Sequence, residues 1–246
     1  MIILKTLKDL TLMRNILQKE LPQSINVLGG VLHILNNNSC HLEMCVDSWP
    51  TFTAAICYRQ KQVEHTGTKI TYRLLRRGQL ICVSACEAFQ PQLWAFFFKF
   101  CSYTSLCVRK LLALPVSILE ESHADLVDAH LPYGGSQESL NHVRACIRHL
   151  PNHCVRDGNG RPVSWMLSDE LCELRMAYTL PEYRRAGHLL ALSVAQICRV
   201  SSAGLPVYCH VNQQNQATIK AVTSLGFSPC PGMENISVLL ICRDRV

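Results

Sequence analysis

Residues able to do chemistry gather between Glu173 and His188. Glu173 and Arg175 alternate with Leu174, Met176 and Tyr178, a period of two that puts the two charged side chains on one face of a half-buried strand and the apolar ones on the other. A strand-borne carboxylate can serve as a general base, because a strand fixes its position better than a loop does. The alternative is an ion pair between Glu173 and Arg175, which is common on strand faces. Beyond Pro181, the run Arg184-Arg185-Ala186-Gly187-His188 precedes Leu189, Leu190, Leu192, Val194, Ile197 and Cys198 at helical spacing. A basic turn with a glycine, opening a helix, suits a phosphate group. The first N–H groups of a helix lack intrahelical partners, and the dipole favours negative charge there. An ordinary strand-to-helix connection with two solvated arginines is the competing reading.

The elements that must hold these residues follow from hydrophobic spacing and turn chemistry. Met1 to Leu21 reads as a first helix stopped near Pro22. Val27 to Ile34 and Cys40 to Val46 read as two strands joined through Asn36-Asn37-Asn38, and Thr53 to Tyr58 as another. Glu120 to Asp128 has helical spacing, and Ser136 caps a helix carrying Leu140, Val143, Ile147 and Leu150. Asp157-Gly158-Asn159-Gly160 turns a hairpin that precedes the Glu173 strand. Pro206 to Val211 is a continuous apolar strand, Ala217 to Leu225 a helix ended by Gly226, and Ile236 to Cys242 a last strand. Alternation of strands and helices predicts a layered α/β architecture.

Composition narrows the function classes. The formal charge of +6 is uneven: residues 1–117 carry 13 Lys and Arg against 6 Asp and Glu, whereas 118–246 carry 11 against 12. Basic residues between Arg59 and Lys110 lack the stacking aromatics and motifs of nucleic-acid binding, so a solvated surface or attraction of an anionic cofactor is the expected role. The 14 cysteines form no Cys-x-x-Cys pair and follow no secretory signal, so reduced thiols are expected and no metal site is assigned. Leu93 to Phe98 is too short to span a bilayer and is followed by Lys99, so no membrane span is expected.

Arg184-x-x-Gly187 resembles the pyrophosphate loop of the GNAT acyl-CoA N-acyltransferases. The longer run Glu173-Leu-Arg-Met-Ala-Tyr-Thr-Leu-Pro-Glu-Tyr-Arg184 is similar to the glycine N-acyltransferase family within that superfamily. Asn215-x-x-Thr218 through Leu225-Gly226-Phe227 resembles a second superfamily block, and Asn26 to Gln62 is similar to the family's N-terminal region. Leu189 departs from the superfamily's final small residue. The resemblance implies a GNAT-type layered mixed sheet with flanking helices in a catalytic domain at 118–246, and a smaller, shortened α/β domain at 1–117. It implies acyl-CoA as co-substrate with no prosthetic group, and glycine as acceptor. Glutamine, another amino acid, or a non-catalytic CoA-binding role are the alternatives.

By the same resemblance, the strands either side of the loop splay into a slot for the pantetheine arm. Met176, Ala177 and Tyr178 would offer backbone groups to that arm, Arg184, Arg185, Ala186, Gly187 and His188 would hold the pyrophosphate, and Asn215 would join the cofactor site. Glu173 matches the family's proposed catalytic glutamate. Val222 stands where many GNAT enzymes carry a tyrosine that protonates the thiolate; Tyr208 and His210 are the nearest substitutes and read as packed or rim residues. A monomer acting on small molecules is expected, mitochondrial by family resemblance, with the cytoplasm as the alternative.

Overall fold

The computed structural model describes residues 1–59, 116–132, 134–230 and 237–242, the last segment by its backbone alone. The fold divides into two compact units, Met1–Pro91 and Gln92–Val246. Leu93 to Phe98 and the boundary expected near residue 117 bear on a stretch that is mostly outside the described residues; Val116–Ser117, expected in the first domain, pairs into a sheet of the second unit.

In the first unit the strands β1 (Ile2–Leu4), β2 (Leu42–Val46) and β3 (Ala55–Arg59) form an antiparallel sheet in that order. Helices α1 (Leu7–Lys19) and α2 (Ile25–Leu35) share with it a core of Leu4, Leu10, Met13, Leu17, Val27, Leu28, Val31, Met44 and Val46. Two expectations are corrected. The first helix does not begin at Met1: Thr6 accepts the Asp9 N–H at 3.0 Å and caps α1 there, while Ile2 to Leu4 pair with Val46 to Met44. Val27 to Ile34 is helical, not a strand. Its apolar run is buried on nearly every side, Gly29 and Gly30 included, so no period in it separates helix from strand. The asparagine turn does reverse the chain, with Asn37 and Asn38 at φ 82° and 45°. It leads from α2 into β2, where Asn38 bonds both the N–H and the C=O of Leu42 through its amide.

In the second unit β4 (Val116–Ser117), β5 (Asn152–Arg156), β6 (Pro162–Ser168) and β7 (Leu174–Thr179) make one antiparallel sheet in chain order. Helices α3 (Ala124–Asp128) and α4 (Gln137–His149) precede β5, and Ser136 caps α4 by accepting the Ser139 N–H. After β7 come α5 (His188–Ser202), β8 (Tyr208–Asn212), α6 (Gln216–Ser224), β9 (Phe227–Pro229) and β10 (Ser237–Cys242). Strand β10 runs antiparallel between β8 and β9 in a separate sheet. Leu174, Ile197, Val200, Val207, Cys209, Val211, Val222 and Phe227 form one core that draws on β7, α5, β8, α6 and β9.

A buried amide sets the position of α5. Gln196, fully enclosed, donates to the Pro151 carbonyl at 2.7 Å and to Ser168 Oγ at 2.8 Å, and its oxygen lies 2.6 Å from His153 Nδ1. Three bonds therefore lock the helix to β5 and β6, and with it the turn at its start.

Candidate active site

Strand β7 does not keep a simple alternation. Trp165 pairs with Tyr178 and Leu167 with Arg175, so Met176 and Ala177 together stand opposite Met166. Two residues facing one make a bulge, and the extra residue reverses the face parity beyond it. The alternation expected from Glu173 to Tyr178 is corrected accordingly: Glu173 and Leu174 are both buried, Met176 adopts φ 54°, and Ala177 is exposed. The bulge takes the backbone of Met176 and Ala177 out of regular pairing with β6, on a strand that pairs with no other on its far side among the described residues.

That far side faces β8. The two strands lie in different sheets, yet side chains tie them at one end. Tyr208 donates its hydroxyl to the Leu171 carbonyl at 2.8 Å, and the His210 N–H donates to Glu173 Oε1 at 2.9 Å. Glu173 Oε1 also lies 3.0 Å from His210 Nδ1, while Oε2 is 4.0 Å from Arg175 Nη1. An unpaired strand edge can receive an extended ligand by strand addition.

Behind Glu173 lies a second buried carboxyl that sequence reasoning missed. Asp169 Oδ1 accepts the N–H groups of Leu171 (2.9 Å) and Glu173 (3.0 Å), an arrangement that builds the turn into β7. Its Oδ2 meets Arg175 Nη1 at 3.4 Å, closer than Glu173 does, so Arg175 serves both acids. Burial pushes the Asp169 carboxyl up to about 7, helped by the neighbouring Glu173 and Glu170 charges and opposed by Arg175. Asp-x-x-x-Glu-x-Arg was legible as charge spacing, but nothing in it signalled burial. A short chain of neighbours continues from Glu170 to His142 (3.9 Å) and on to Cys146 (3.7 Å).

Tyr208 is completely buried, and burial together with the Asp169 and Glu173 charges raises its pKa well above the ordinary tyrosine value. With its proton committed to Leu171, it is a strut and offers no accessible acid. Val222 belongs to the core, so the position that many GNAT enzymes fill with tyrosine is here a packing position.

The turn before α5 is left-handed at two positions. Arg185 (φ 66°) and Gly187 (φ 79°) are both left-handed, and Gly187 is the residue from which α5 starts. Arg184 Nε donates to the Thr179 carbonyl at 3.0 Å, and its guanidinium lies 5.4 Å from the Tyr178 ring centroid. The Tyr178 ring packs in turn against His130 at 4.6 Å and Trp165 at 5.6 Å. Arg184 is thus anchored at the end of β7, while Arg185 and Ala186 are exposed at the mouth of the turn.

Two expected side-chain roles change. His188 is only 5% exposed and burial lowers its pKa, so the ring is neutral and inside; its backbone N–H is what the turn presents. Asn215 uses its side-chain oxygen to cap α6, accepting the Thr218 N–H at 3.1 Å.

Among the described residues no helix is long and apolar enough to cross a membrane. Residues 1–72 match the family model described as aralkyl acyl-CoA:amino acid N-acyltransferase, and residues 153–235 match the model of its C-terminal region, together more than half of the chain. The chain is similar to human glycine N-acyltransferase-like protein 2, at 26% identity over 283 residues, covering 94% of this chain and 95% of that one. It is also similar to bovine glycine N-acyltransferase, at 28% identity over 286 residues, covering 94% and 96%. Since 283 aligned positions meet a chain of 246, at least 37 positions of the human relative have no counterpart here. Among solved structures, the ribosomal-protein-S18-alanine N-acetyltransferase from Escherichia coli overlaps 52% of this chain and 90% of its own, with 18% identity and a TM-score of 0.40. The chain therefore belongs to the aralkyl acyl-CoA:amino acid N-acyltransferase family, in its glycine N-acyltransferase-like branch, and is an N-acyltransferase whose acyl donor is a CoA thioester.

Proposed function

We propose that the protein transfers an acyl group from acyl-CoA to the amine of glycine, giving an N-acylglycine and free CoA. The observation that carries this reading is the Glu173 carboxylate, buried where β7 and β8 are tied and accepting bonds from a neighbouring histidine. A thioester is already activated, so the protein must chiefly hold the amine against the carbonyl and take up the amine's proton. Proton removal depends on Glu173. The names of the bovine and human relatives favour glycine as the acceptor.

The remaining residues take the following roles in this proposal. The backbone of Met176, Ala177 and Tyr178 lies along the pantetheine arm. Arg184 and Arg185 supply charge to the pyrophosphate, and the backbone of Ala186, Gly187 and His188 supplies N–H donors at the start of α5. Asn215 contributes by shaping the start of α6 beside the cofactor. The proposed compartment is the mitochondrion, and the proposed working state a monomer.

A mass-spectrometric screen of aralkyl- and fatty-acyl-CoAs against the common amino acids tests the reaction directly. The expected product is N-acylglycine in excess over other conjugates. Conjugation of glutamine in preference to glycine would replace the acceptor, and CoA binding without release under any acceptor would overturn the enzymatic reading.

A further inference from the structure

His210 stands on β8, across from the start of β7, and has a feature that its strand spacing did not reveal. Both its backbone N–H and its ring Nδ1 approach the same oxygen, Glu173 Oε1, at 2.9 and 3.0 Å. An ionised carboxylate can only accept, so Nδ1 carries the hydrogen and, in the neutral ring, Nε2 presents a lone pair. Nε2 is enclosed and meets no hydrogen-bonding partner among the described residues. Glu173 is differently placed: Oε1 is already engaged twice and Oε2 faces Arg175. The Glu173 side chain is 7% exposed and that of His210 18%. A carboxylate, an imidazole fixed by it, and an unpartnered ring nitrogen beyond form the sequence of groups that makes a general base.

We infer that His210 is the proton acceptor of the reaction, with Glu173 acting through it. As the amine nitrogen bonds to the thioester carbonyl carbon, Nε2 takes the proton that the nitrogen sheds, and Glu173 stabilises the imidazolium. As the carbon–sulfur bond breaks, the same proton passes from Nε2 to the departing sulfur, which leaves as the CoA thiol. The imidazole returns to its neutral form and no further reactant is consumed. One residue then supplies the base and also the acid that Val222 cannot. The amine's N–H would at the same time give Nε2 the partner it lacks.

Few other charged or titratable groups surround the ring among the described residues. Tyr208, on the same strand, has its ring centre 6.0 Å away and its hydroxyl committed to Leu171. Arg175 and Asp169 stand behind Glu173. Glu173 is thus the ionisable side chain in direct contact with the ring.

This inference rests on the reading that proton removal depends on Glu173, and the experiment separates the two. Steady-state rates with glycine and an aralkyl-CoA are measured for wild type, His210→Ala, His210→Asn and Glu173→Gln from about pH 6 to 9, with and without added imidazole. Asparagine keeps a donor for Glu173 but has no atom at Nε2. Both His210 variants are expected to lose roughly 10²- to 10⁴-fold in kcat with KM for acyl-CoA little changed, and to lose the acid limb. Added imidazole should restore His210→Ala in proportion to its concentration and leave Glu173→Gln unrescued. Near-wild-type His210 variants beside an impaired Glu173→Gln would make Glu173 itself the base and overturn the role of His210. Full activity in all three variants would overturn both readings. Loss in the folded His210→Asn variant with the acid limb retained would make His210 a structural tie and refute the inference; if His210→Ala does not fold, this variant decides by its pH profile.

Discussion

Replacing Asp169 by asparagine should make the protein's stability less sensitive to pH, and by an amount the structure sets. The carboxyl is buried beside two other acids and has its pKa moved from 3.8 to about 7. The folded protein therefore holds the proton through a range in which the unfolded chain has released it. Stability from this group is complete below about 3.8 and is lost as pH rises through about 7. Between pH 5 and 8 that loss is roughly 2–3 kcal/mol, from 1.36 kcal/mol per tenfold change in proton affinity. Asparagine keeps the oxygen that accepts from Leu171 and Glu173 and cannot ionise. Thermal unfolding of wild type and Asp169→Asn at several pH values should show the variant gaining on wild type as pH rises. For a unit of this size the relative gain between pH 5 and 8 is roughly 5–10 °C in Tm. A difference in Tm that is constant from pH 5 to 8 would refute the reasoning, since Asp169 would then ionise alike in both states.

Other outcomes follow from the cofactor turn and the helix behind it. Alanine at Arg184 and Arg185 should weaken acyl-CoA binding by roughly tenfold or more for each guanidinium removed, with a shallower salt dependence, as read by calorimetry at two ionic strengths; unchanged affinity for CoA would remove the turn from the cofactor site. Gln196→Leu strands the Pro151 carbonyl and the partners on Ser168 and His153, so it should cost about 2–4 kcal/mol in denaturant unfolding, and a neutral result would show that the amide does not anchor α5.

What could be read from the sequence tracks how local the determining physics is. Caps and turns were legible because their partners are a few residues away: Ser136 with Ser139, the Asp157 turn with Asn159 and Arg161, and Gly226 ending α6 at φ 98°. Ile25–Leu35 was not, because an apolar run buried on nearly every side carries no periodic mark of helix or strand. Ile2 to Leu4 became a strand only because β2 lies beside it, some forty residues further along the chain. In each of these misreadings the decisive interaction is tertiary, whereas local propensity alone leaves both outcomes open.

The site divides along the same line. The turn from Arg184 to His188 is local, and its glycine and basic residues marked a basic helix start, where Arg185 and Gly187 are left-handed. The bulge in β7 was hidden, since only pairing with β6 decides whether one residue or two stand opposite Met166. Glu173 was singled out, but two readings of it stood side by side, a base and an ion pair with Arg175. Its nearest charged or polar neighbour is not Arg175 but His210, on another sheet and 37 residues on in the chain. Arg175 is shared between Asp169 and Glu173, and Glu173 meets the histidine through its other oxygen. The contact that distinguishes the two readings of Glu173 is thus a property of the junction between β7 and β8, which no local stretch of sequence contains.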